Sequence, residues 1–192
     1  MTEINQTTGG TTRRRRADAD RSRTATLQAA ISVLADTPEA SVETIATAAG
    51  VTRQTVYAHF PSRDALLIAV ADHLTTELLA EYEQLDLEAG TAMDAVLLLI
   101  DTGRTFFKRH PVQLYPAAAT DDQQRHQPIK DLLTKTIRRG QRNGEFTKAL
   151  PATWLADATI ALAHTAANLP PRKSTPTLHT TLHRLLQADQ PT

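Results

Sequence analysis

The sequence predicts an all-α fold, and three observations support this prediction. Apolar residues recur every three or four positions along most of the chain, which is the spacing of one face of a helix. No segment of useful length alternates between apolar and polar residues as a half-buried strand would. Proline and glycine stand between the periodic segments, where they end one helix and permit the turn into the next. We therefore expect a series of helices joined by short connections.

The first predicted helix begins at Asp18 or Asp20 and ends near Pro38. The dozen residues at the start of the chain, MTEINQTTGGTT, are polar, and they bury too little apolar surface to offset the entropy lost on ordering. We expect a flexible basic arm over residues 1–17. The apolar stripe of this helix consists of Leu27, Ala30, Ile31 and Leu34.

Two short helices are predicted between Ser41 and Arg63, with Gly50 at the turn between them. Gly50 permits a left-handed backbone conformation. Ser41 and Thr52 each stand where a side-chain oxygen can cap the free N–H groups of the helix that follows. The apolar face of the first of these helices consists of Val42, Ile45, Ala46 and Ala49.

The second short helix has an apolar inner side and a polar outer side. Val56 and Phe60 lie one turn apart and face inward, and Val51 just before the helix also points to the core. A helical-wheel projection places Gln54, Thr55 and Ala58 on the outer side of this helix, with Tyr57 at its flank. A small domain that presents a polar helix in this way can place side chains against the base edges of DNA.

The rest of the chain predicts further helices and no strand. A long helix starts at Arg63 or Asp64, and a later one is stopped by the Asn143-Gly144 pair. The predicted spans are residues 63 or 64 to 82, 91–109, a short piece at 112–119, 122 or 128 to 142, 151–168 and 175–187.

The segment from Ala46 to Leu66 reads A-x-x-A-G-V-T-x-x-T-V-Y-x-H-F-x-S-[KR]-x-x-L and closely resembles the signature of the tetracycline-repressor (TetR) family. The resemblance implies an N-terminal three-helix helix-turn-helix domain that binds operator DNA, here residues 18–63. It also implies a C-terminal helical bundle, here residues 64–192, that binds an inducer and dimerises. The implied function is a homodimeric repressor that a small molecule releases from a palindromic operator.

The resemblance assigns DNA contacts to positions of the second short helix and its neighbours. Arginine can pair with guanine, glutamine with adenine, and the methyl groups of threonine and alanine can touch thymine. The base-contacting positions are Arg53, Gln54, Thr55 and Ala58. The phosphate-contacting positions are Ser41, Thr52, Tyr57, His59 and Arg63. Four consecutive arginines could enter the minor groove or simply be solvated: Arg13, Arg14, Arg15 and Arg16.

The resemblance also implies a ligand pocket and a dimer interface in the C-terminal bundle. The last two helices resemble the pair through which such proteins dimerise, although packing within one subunit is the alternative. We predict no cofactor and no metal. The residues that we place nearest the ligand pocket are His73, Phe106, Phe107, His110, Leu114, Tyr115 and Trp154.

The composition of the chain excludes several other kinds of site and protein. The chain has no cysteine, so disulfides, thiolate zinc sites and cysteine nucleophiles are excluded. The longest apolar run, Ala65 to Ala71, is far shorter than the roughly 20 residues that cross a membrane, and we expect a cytoplasmic protein. Net charge is zero, yet six of the eight Lys and Arg residues in positions 1–63 lie between Arg13 and Arg23, and positions 64–101 hold nine acids and no Lys or Arg.

Two alternatives from other classes stay open at this point. An enzyme is disfavoured because the chain has no G-x-S-x-G, no P-loop and no dinucleotide fingerprint. His179 and His183 have a zinc-compatible i, i+4 spacing, but no HExxH glutamate accompanies them. A DNA-binding protein that responds to no ligand, or an activator, is the second alternative.

Overall fold

The computed structural model describes residues 8–112 and 122–188. Within these residues all regular structure is helical apart from one isolated β-bridge, so the predicted all-α class is confirmed. None of the helices described there is both long enough and apolar enough to cross a bilayer. The helices are α1 (Thr8–Asp36), α2 (Val42–Ala48), α3 (Arg53–His59), α4 (Arg63–Glu83), α5 (Ala92–Arg109), α6 (Asp122–Asn143), α7 (Ala152–Ala167) and α8 (Pro171–Leu186).

Two helix starts were predicted wrongly. Helix α1 begins at Thr8, well before Asp18, because arginine is a good helix former and no proline interrupts residues 8–36. Helix α8 begins at Pro171 and not at Thr175, since proline in the first turn of a helix gives up no hydrogen bond. For α6, the earlier of the two predicted starts is correct, and Pro128 lies inside the helix. The short piece predicted at 112–119 lies outside the described residues except for its first residue.

The contacts within the chain divide the described residues into two compact units. The first unit comprises residues 8–74 and 110–112. Its core contains the predicted α1 stripe, with Leu27, Ala30 and Leu34 buried and Ile31 half-buried. The division falls inside α4, where the predicted boundary at Arg63 marks the start of the same helix.

The second unit comprises residues 75–109 and 122–188, and α6 and α7 form its most extensive helix pair. Two glycines allow close packing there: a Cβ on Gly140 would lie 2.3 Å from the Phe146 ring, and one on Gly103 would lie 2.6 Å from the Tyr82 hydroxyl. Burial raises the pKa of Tyr82, so this phenol stays neutral. The largest fully buried side chains of this unit are Leu78, Leu99, Phe106, Leu133, Ile137, Phe146, Leu155 and Leu178.

The end of α8 is joined to the connection between α6 and α7 by a short antiparallel bridge. Phe146 pairs with Gln187, and the Thr147 amide donates a hydrogen bond to the Leu186 carbonyl at 2.9 Å. The Ala188 amide donates to the Glu145 carbonyl at 3.3 Å. This bridge holds the last turn of α8 against the rest of its unit.

Candidate nucleic-acid interface

The two short helices begin at the predicted caps. Ser41 Oγ accepts a hydrogen bond from the Thr44 amide at 3.1 Å, and Thr52 Oγ1 accepts one from the Thr55 amide at the same distance. Both capping residues have extended backbone angles, as N-caps do. The prediction of both caps is confirmed, and each fixes where its helix starts.

The turn between α2 and α3 depends on Gly50. Its φ angle is +66°, in the left-handed region that favours glycine, which confirms the predicted turn. The next amide, that of Val51, donates back to the Ala46 carbonyl at 3.0 Å and closes the end of α2. The two helices therefore meet at an angle that the backbone itself sets.

The inner side of α3 is buried as the helical spacing predicted. Val56 and Phe60 are buried, and Val51 is half-buried. Helix α3 packs on both α1 and α2, and the guanidinium of Arg23 on α1 lies 5.4 Å from the centre of the Phe60 ring. In α2, Val42, Ile45 and Ala46 are buried and Ala49 is half-buried. This packing holds α3 as a fixed rod on a small three-helix core.

The outer side of α3 carries the side chains that were predicted there from the sequence. Arg53, Gln54 and Ala58 are exposed, and Thr55 is half-buried. The Thr55 hydroxyl lies 2.9 Å from the Thr52 hydroxyl, so it takes part in the cap and leaves its methyl group for other contacts. The surface offers two long polar side chains and two methyl groups within two turns of helix.

Arg53 and Tyr57 form a pair on this surface. The guanidinium lies 5.4 Å from the centre of the tyrosine ring, at cation–π distance. A hydrogen bond from Arg53 to Tyr57 raises the pKa of this arginine, which is charged at every physiological pH in any case. Tyr57 keeps about 37% of its surface exposed. The pair limits the directions in which Arg53 can point.

His59 lies at the end of α3 and contacts α1. Its Nε2 is 2.8 Å from Ser22 Oγ, which is itself 2.9 Å from the Ala19 carbonyl oxygen. His59 is half-buried, and sequence reasoning missed this contact because Ser22 lies 37 positions away. Nδ1 is the ring nitrogen that this contact does not use.

Arg63 supports the connection between α1 and α2. Its Nη2 donates to the Pro38 carbonyl at 2.9 Å and lies 3.4 Å from the Ala40 carbonyl. Sequence reasoning missed this role as well, since a basic residue at the start of α4 does not indicate which carbonyl groups it meets. Any phosphate contact by Arg63 would therefore use its other N–H groups.

Residues 8–17 of the predicted basic arm belong to α1, and the first seven lie outside the described residues. Arg13, Arg14 and Arg16 are exposed on this helix. An α-helix with its side chains is about 10–12 Å wide and the minor groove about 6 Å, so in this conformation only the arginine side chains could enter the groove.

The predicted ligand-pocket residues differ in exposure and are divided between the two units. Phe106 is buried in the second unit, whereas Phe107 and Trp154 have 47% and 51% of their surface exposed. His73 and His110 are half-buried and belong to the first unit. Leu114 and Tyr115 lie outside the described residues. A shallow groove on the second unit is lined by other residues, namely Leu87, Glu88, Leu132, Lys135, Thr136, Arg139 and Arg142.

The paired histidines of α8 do not converge on a metal site. His179 Nε2 lies 3.0 Å from the Asp101 carboxylate, and His183 is exposed. In the part of the chain that the structure describes, no three metal-ligating side chains come together.

The last two helices differ in the surface that they leave exposed. On α7, Trp154 and Ala161 are exposed, and Ala158 between them is half-buried. On α8, the apolar residues Leu178, Leu182 and Leu186 are buried within their own unit. The exposed face of α8 is polar, so the exposed apolar surface of this pair lies mainly on α7.

Comparison with known proteins agrees with this geometry. The family model described as bacterial regulatory proteins, tetR family, matches residues 27–70, a range that contains α2 and α3. YvdT, an uncharacterised helix-turn-helix transcriptional regulator of Bacillus subtilis strain 168, is 30% identical over 154 residues. The matched region covers 73% of this chain and 78% of YvdT.

A mycobacterial repressor is similar in both sequence and structure. LfrR, a helix-turn-helix transcriptional repressor of Mycolicibacterium smegmatis, is 45% identical over 78 residues, which are 41% of each chain. The crystal structure of LfrR in complex with proflavine superposes with a TM-score of 0.63 and 25% identity, and covers 85% of this chain and 94% of LfrR. With a capped, exposed recognition helix and relatives of this kind, the chain belongs to the TetR family of bacterial transcriptional regulators.

Proposed function

We propose that this chain is a homodimeric repressor that binds a palindromic operator and leaves it when a small molecule binds. The observation that supports DNA reading most directly is α3, which is capped, packed through Val56 and Phe60, and exposed on its outer side at Gln54. A short rigid helix of this kind fits the major groove, which admits an α-helix.

Base reading is assigned to the outer residues of α3. Arg53, directed by Tyr57, pairs with guanine, and Gln54 pairs with adenine through its amide. Thr55 and Ala58 offer methyl groups to thymine, since the Thr55 hydroxyl already contacts Thr52. These four residues set the preferred base sequence.

Phosphate contacts surround this reading surface. The exposed residues Ser41 and Thr52 and the hydroxyl of Tyr57 donate to phosphate oxygens, together with the Nδ1 side of His59 and the remaining N–H groups of Arg63. Such contacts fix the register of the helix on the duplex and do not depend on sequence. Arg13, Arg14, Arg15 and Arg16 add positive charge beside the site, and the minor groove attracts arginine through its negative potential.

Dimerisation through α7 and α8 doubles the reading surface. The exposed Trp154 and the small side chains of α7 permit close approach of a second copy. Two recognition helices then meet half-sites whose centres are about 34–36 Å apart, or a multiple of that distance. This symmetry makes the operator palindromic.

Release by a ligand is supported by the mycobacterial relative. LfrR is named a repressor, and its crystal structure contains proflavine. A ligand can release DNA only if it binds more tightly to a conformation in which the two recognition helices of the dimer are wrongly spaced for the operator. The pocket is assigned to the second unit near Phe106, and the protein acts in the cytoplasm, where bacterial DNA lies.

Selection of bound duplexes from a random DNA pool directly tests base recognition by α3. Wild-type protein should enrich an inverted repeat, and Gln54→Ala should change the preference at one position of each half-site by about 1–3 kcal/mol. Gln84→Ala, which removes an exposed glutamine in the second unit, is the matched control and should select the wild-type sequence.

Three other outcomes would correct the proposal in different parts. Absence of any enriched sequence would contradict DNA reading by α3. An enriched direct repeat, or a chain that stays monomeric on DNA in analytical ultracentrifugation, would contradict the symmetric dimer. Operator binding that no compound of a small-molecule screen reverses, or activation from the bound site, would favour the ligand-independent regulator or the activator.

A further inference from the structure

The guanidinium of Arg104, on α5, is only partly satisfied by its surroundings. Its Nη2 donates to the Ser174 hydroxyl at 2.6 Å and lies 3.4 Å from the Thr175 hydroxyl, both on α8. Nη1 of the same group is buried and has no hydrogen-bond partner among the described residues. Most buried polar groups are hydrogen-bonded, and an unpaired one requires an explanation.

The charge of Arg104 is also uncompensated. Other cations of the second unit meet carboxylates; for example, Arg139 lies 3.0 Å from Glu88, and Lys130 lies 2.7 Å from Asp157. Asp101, one turn before Arg104, lies 3.0 Å from His179 instead. Within residues 8–112 and 122–188, no carboxylate lies at ion-pair distance from Arg104. A half-buried cation without an anion is unfavourable in a protein interior.

We propose that Arg104 binds the carboxylate of an organic acid that acts as the effector. The proposal rests on the ligand-controlled function proposed above and names the chemical class of the ligand. A carboxylate is planar like the guanidinium and accepts two parallel hydrogen bonds from it. Its single negative charge matches the single uncompensated charge of Arg104. A phosphate dianion would need a second cation, whereas the groups around Nη2 are hydroxyls.

The contacts of Arg104 connect this site to the helices of the proposed dimer. Ser174 Oγ accepts from Arg104 and donates to the Ala166 carbonyl at 2.6 Å, so the three residues join α5, α8 and α7. Because Nη1 is buried, an acid reaches it only when Arg104 turns or α5 and α8 separate. Either movement breaks the hydrogen bond to Ser174. The acid therefore selects a second conformation in which α8 is held differently.

The first measurement compares acids with their amides on the free, full-length protein. Acetate, benzoate and octanoate are each paired with acetamide, benzamide and octanamide, and the melting temperature is followed at increasing concentration. At least one acid should raise the melting temperature by about 5 °C or more at a hundredfold excess over its Kd, and its amide should not. Equal shifts by acid and amide, or no shift by any acid, would overturn the proposal.

Two variants separate ligand binding from a merely structural role. Arg104→Met should weaken binding of the active acid about tenfold or more, which is the loss of a charged hydrogen bond. Ser174→Ala should tighten it, because the acid no longer competes with Ser174 for the guanidinium. A structural role predicts lower melting temperatures in both variants with an unchanged acid response, and that result would overturn the proposal. Should Arg104→Met fail to fold, Ser174→Ala and the wild-type acid series decide the question.

Operator binding is measured separately by fluorescence anisotropy with the selected duplex. Wild-type protein with the active acid should release the duplex, and Arg104→Met should keep it bound at the same acid concentration. Duplex binding without any acid response would overturn the inference and leave the DNA-binding function intact. An acid response in a protein that binds no duplex would overturn the DNA-binding function and leave acid binding by Arg104 intact.

Discussion

Replacement of Gly50 tests whether the turn between α2 and α3 is held by backbone conformation alone. Its φ angle is +66°, and a Cβ at this position would meet no atom within 4 Å. Gly50→Ala therefore introduces no clash. It introduces left-handed strain of about 1–2 kcal/mol, partly offset by about 0.4–1 kcal/mol from the reduced entropy of the unfolded chain. The net loss in the free energy of unfolding is about 1 kcal/mol, or about 4–8 °C in the melting temperature of a unit as small as the first one.

Two comparisons make this prediction sharp. Gly50→Asn should lower the free energy of unfolding less than Gly50→Ala does, because asparagine adopts the left-handed region more readily than most other residues with a side chain. Gly144→Ala is the matched control in the second unit, since Gly144 has a φ angle of +78° and equally open surroundings. Gly144→Ala should lower the free energy of unfolding by a similar amount and leave the affinity for operator DNA unchanged. Operator affinity of Gly50→Asn should stay close to that of wild type.

Urea unfolding followed by two probes distinguishes the two units. Trp154 is the single tryptophan of the chain and lies in the second unit, so its fluorescence reports that unit, whereas far-UV circular dichroism reports both. Gly50 variants should shift the dichroism transition and leave the fluorescence transition unchanged. A loss above about 3 kcal/mol for Gly50→Ala, or equal losses for Ala and Asn, would refute the argument from backbone strain.

Three further predictions concern caps, the Arg63 contact and acid pH. Thr52→Ala should lower the free energy of unfolding by about 1 kcal/mol, and Thr52→Ser should restore most of it in urea titrations, since the hydroxyl forms the cap. Arg63→Ala should weaken binding to all operator variants alike and flatten the salt dependence of binding in anisotropy titrations. It should also lower the melting temperature, because the Pro38 carbonyl loses its hydrogen-bond donor. An effect on binding that is confined to one base position would contradict this prediction. Hydrogen bonds from Thr91 lower the pKa of Asp94, so its contribution to stability is present above the ordinary value of 3.8 and is lost as the pH falls through the lower folded pKa. The stability difference between wild type and Asp94→Asn should therefore shrink below about pH 4 in pH-dependent unfolding, and a difference that grows there would contradict the assignment.

Local features of the fold were predictable from the sequence because their partners lie close together along the chain. The caps at Ser41 and Thr52 each join residues three positions apart, and the turn at Gly50 depends on that residue's own backbone. Val56 and Phe60 follow from helical spacing alone. These features determine most of the proposed reading surface.

Contacts between distant segments could not be predicted in the same way. His59 meets Ser22 across 37 positions, and Arg63 meets the Pro38 carbonyl across 25. Periodicity shows which side of a helix is apolar but does not identify the partner of a polar side chain. The start of α1 was missed because composition indicated a flexible arm, whereas arginine also favours helix. The Arg104 contact with Ser174, across 70 positions, belongs to the same class.

The early turns of α1 give the helix an uneven stability along its length. Thr26 is the first buried residue of α1 in the described part of the chain, and Arg13, Arg14 and Arg16 precede it with exposed side chains of like charge. Because helices in proteins are stabilised mainly by packing, amide hydrogens near these arginines should exchange with solvent faster than those after Thr26. A polyanion that neutralises the arginines removes their mutual repulsion, so a bound duplex should slow this exchange and extend the protected part of the helix toward its beginning.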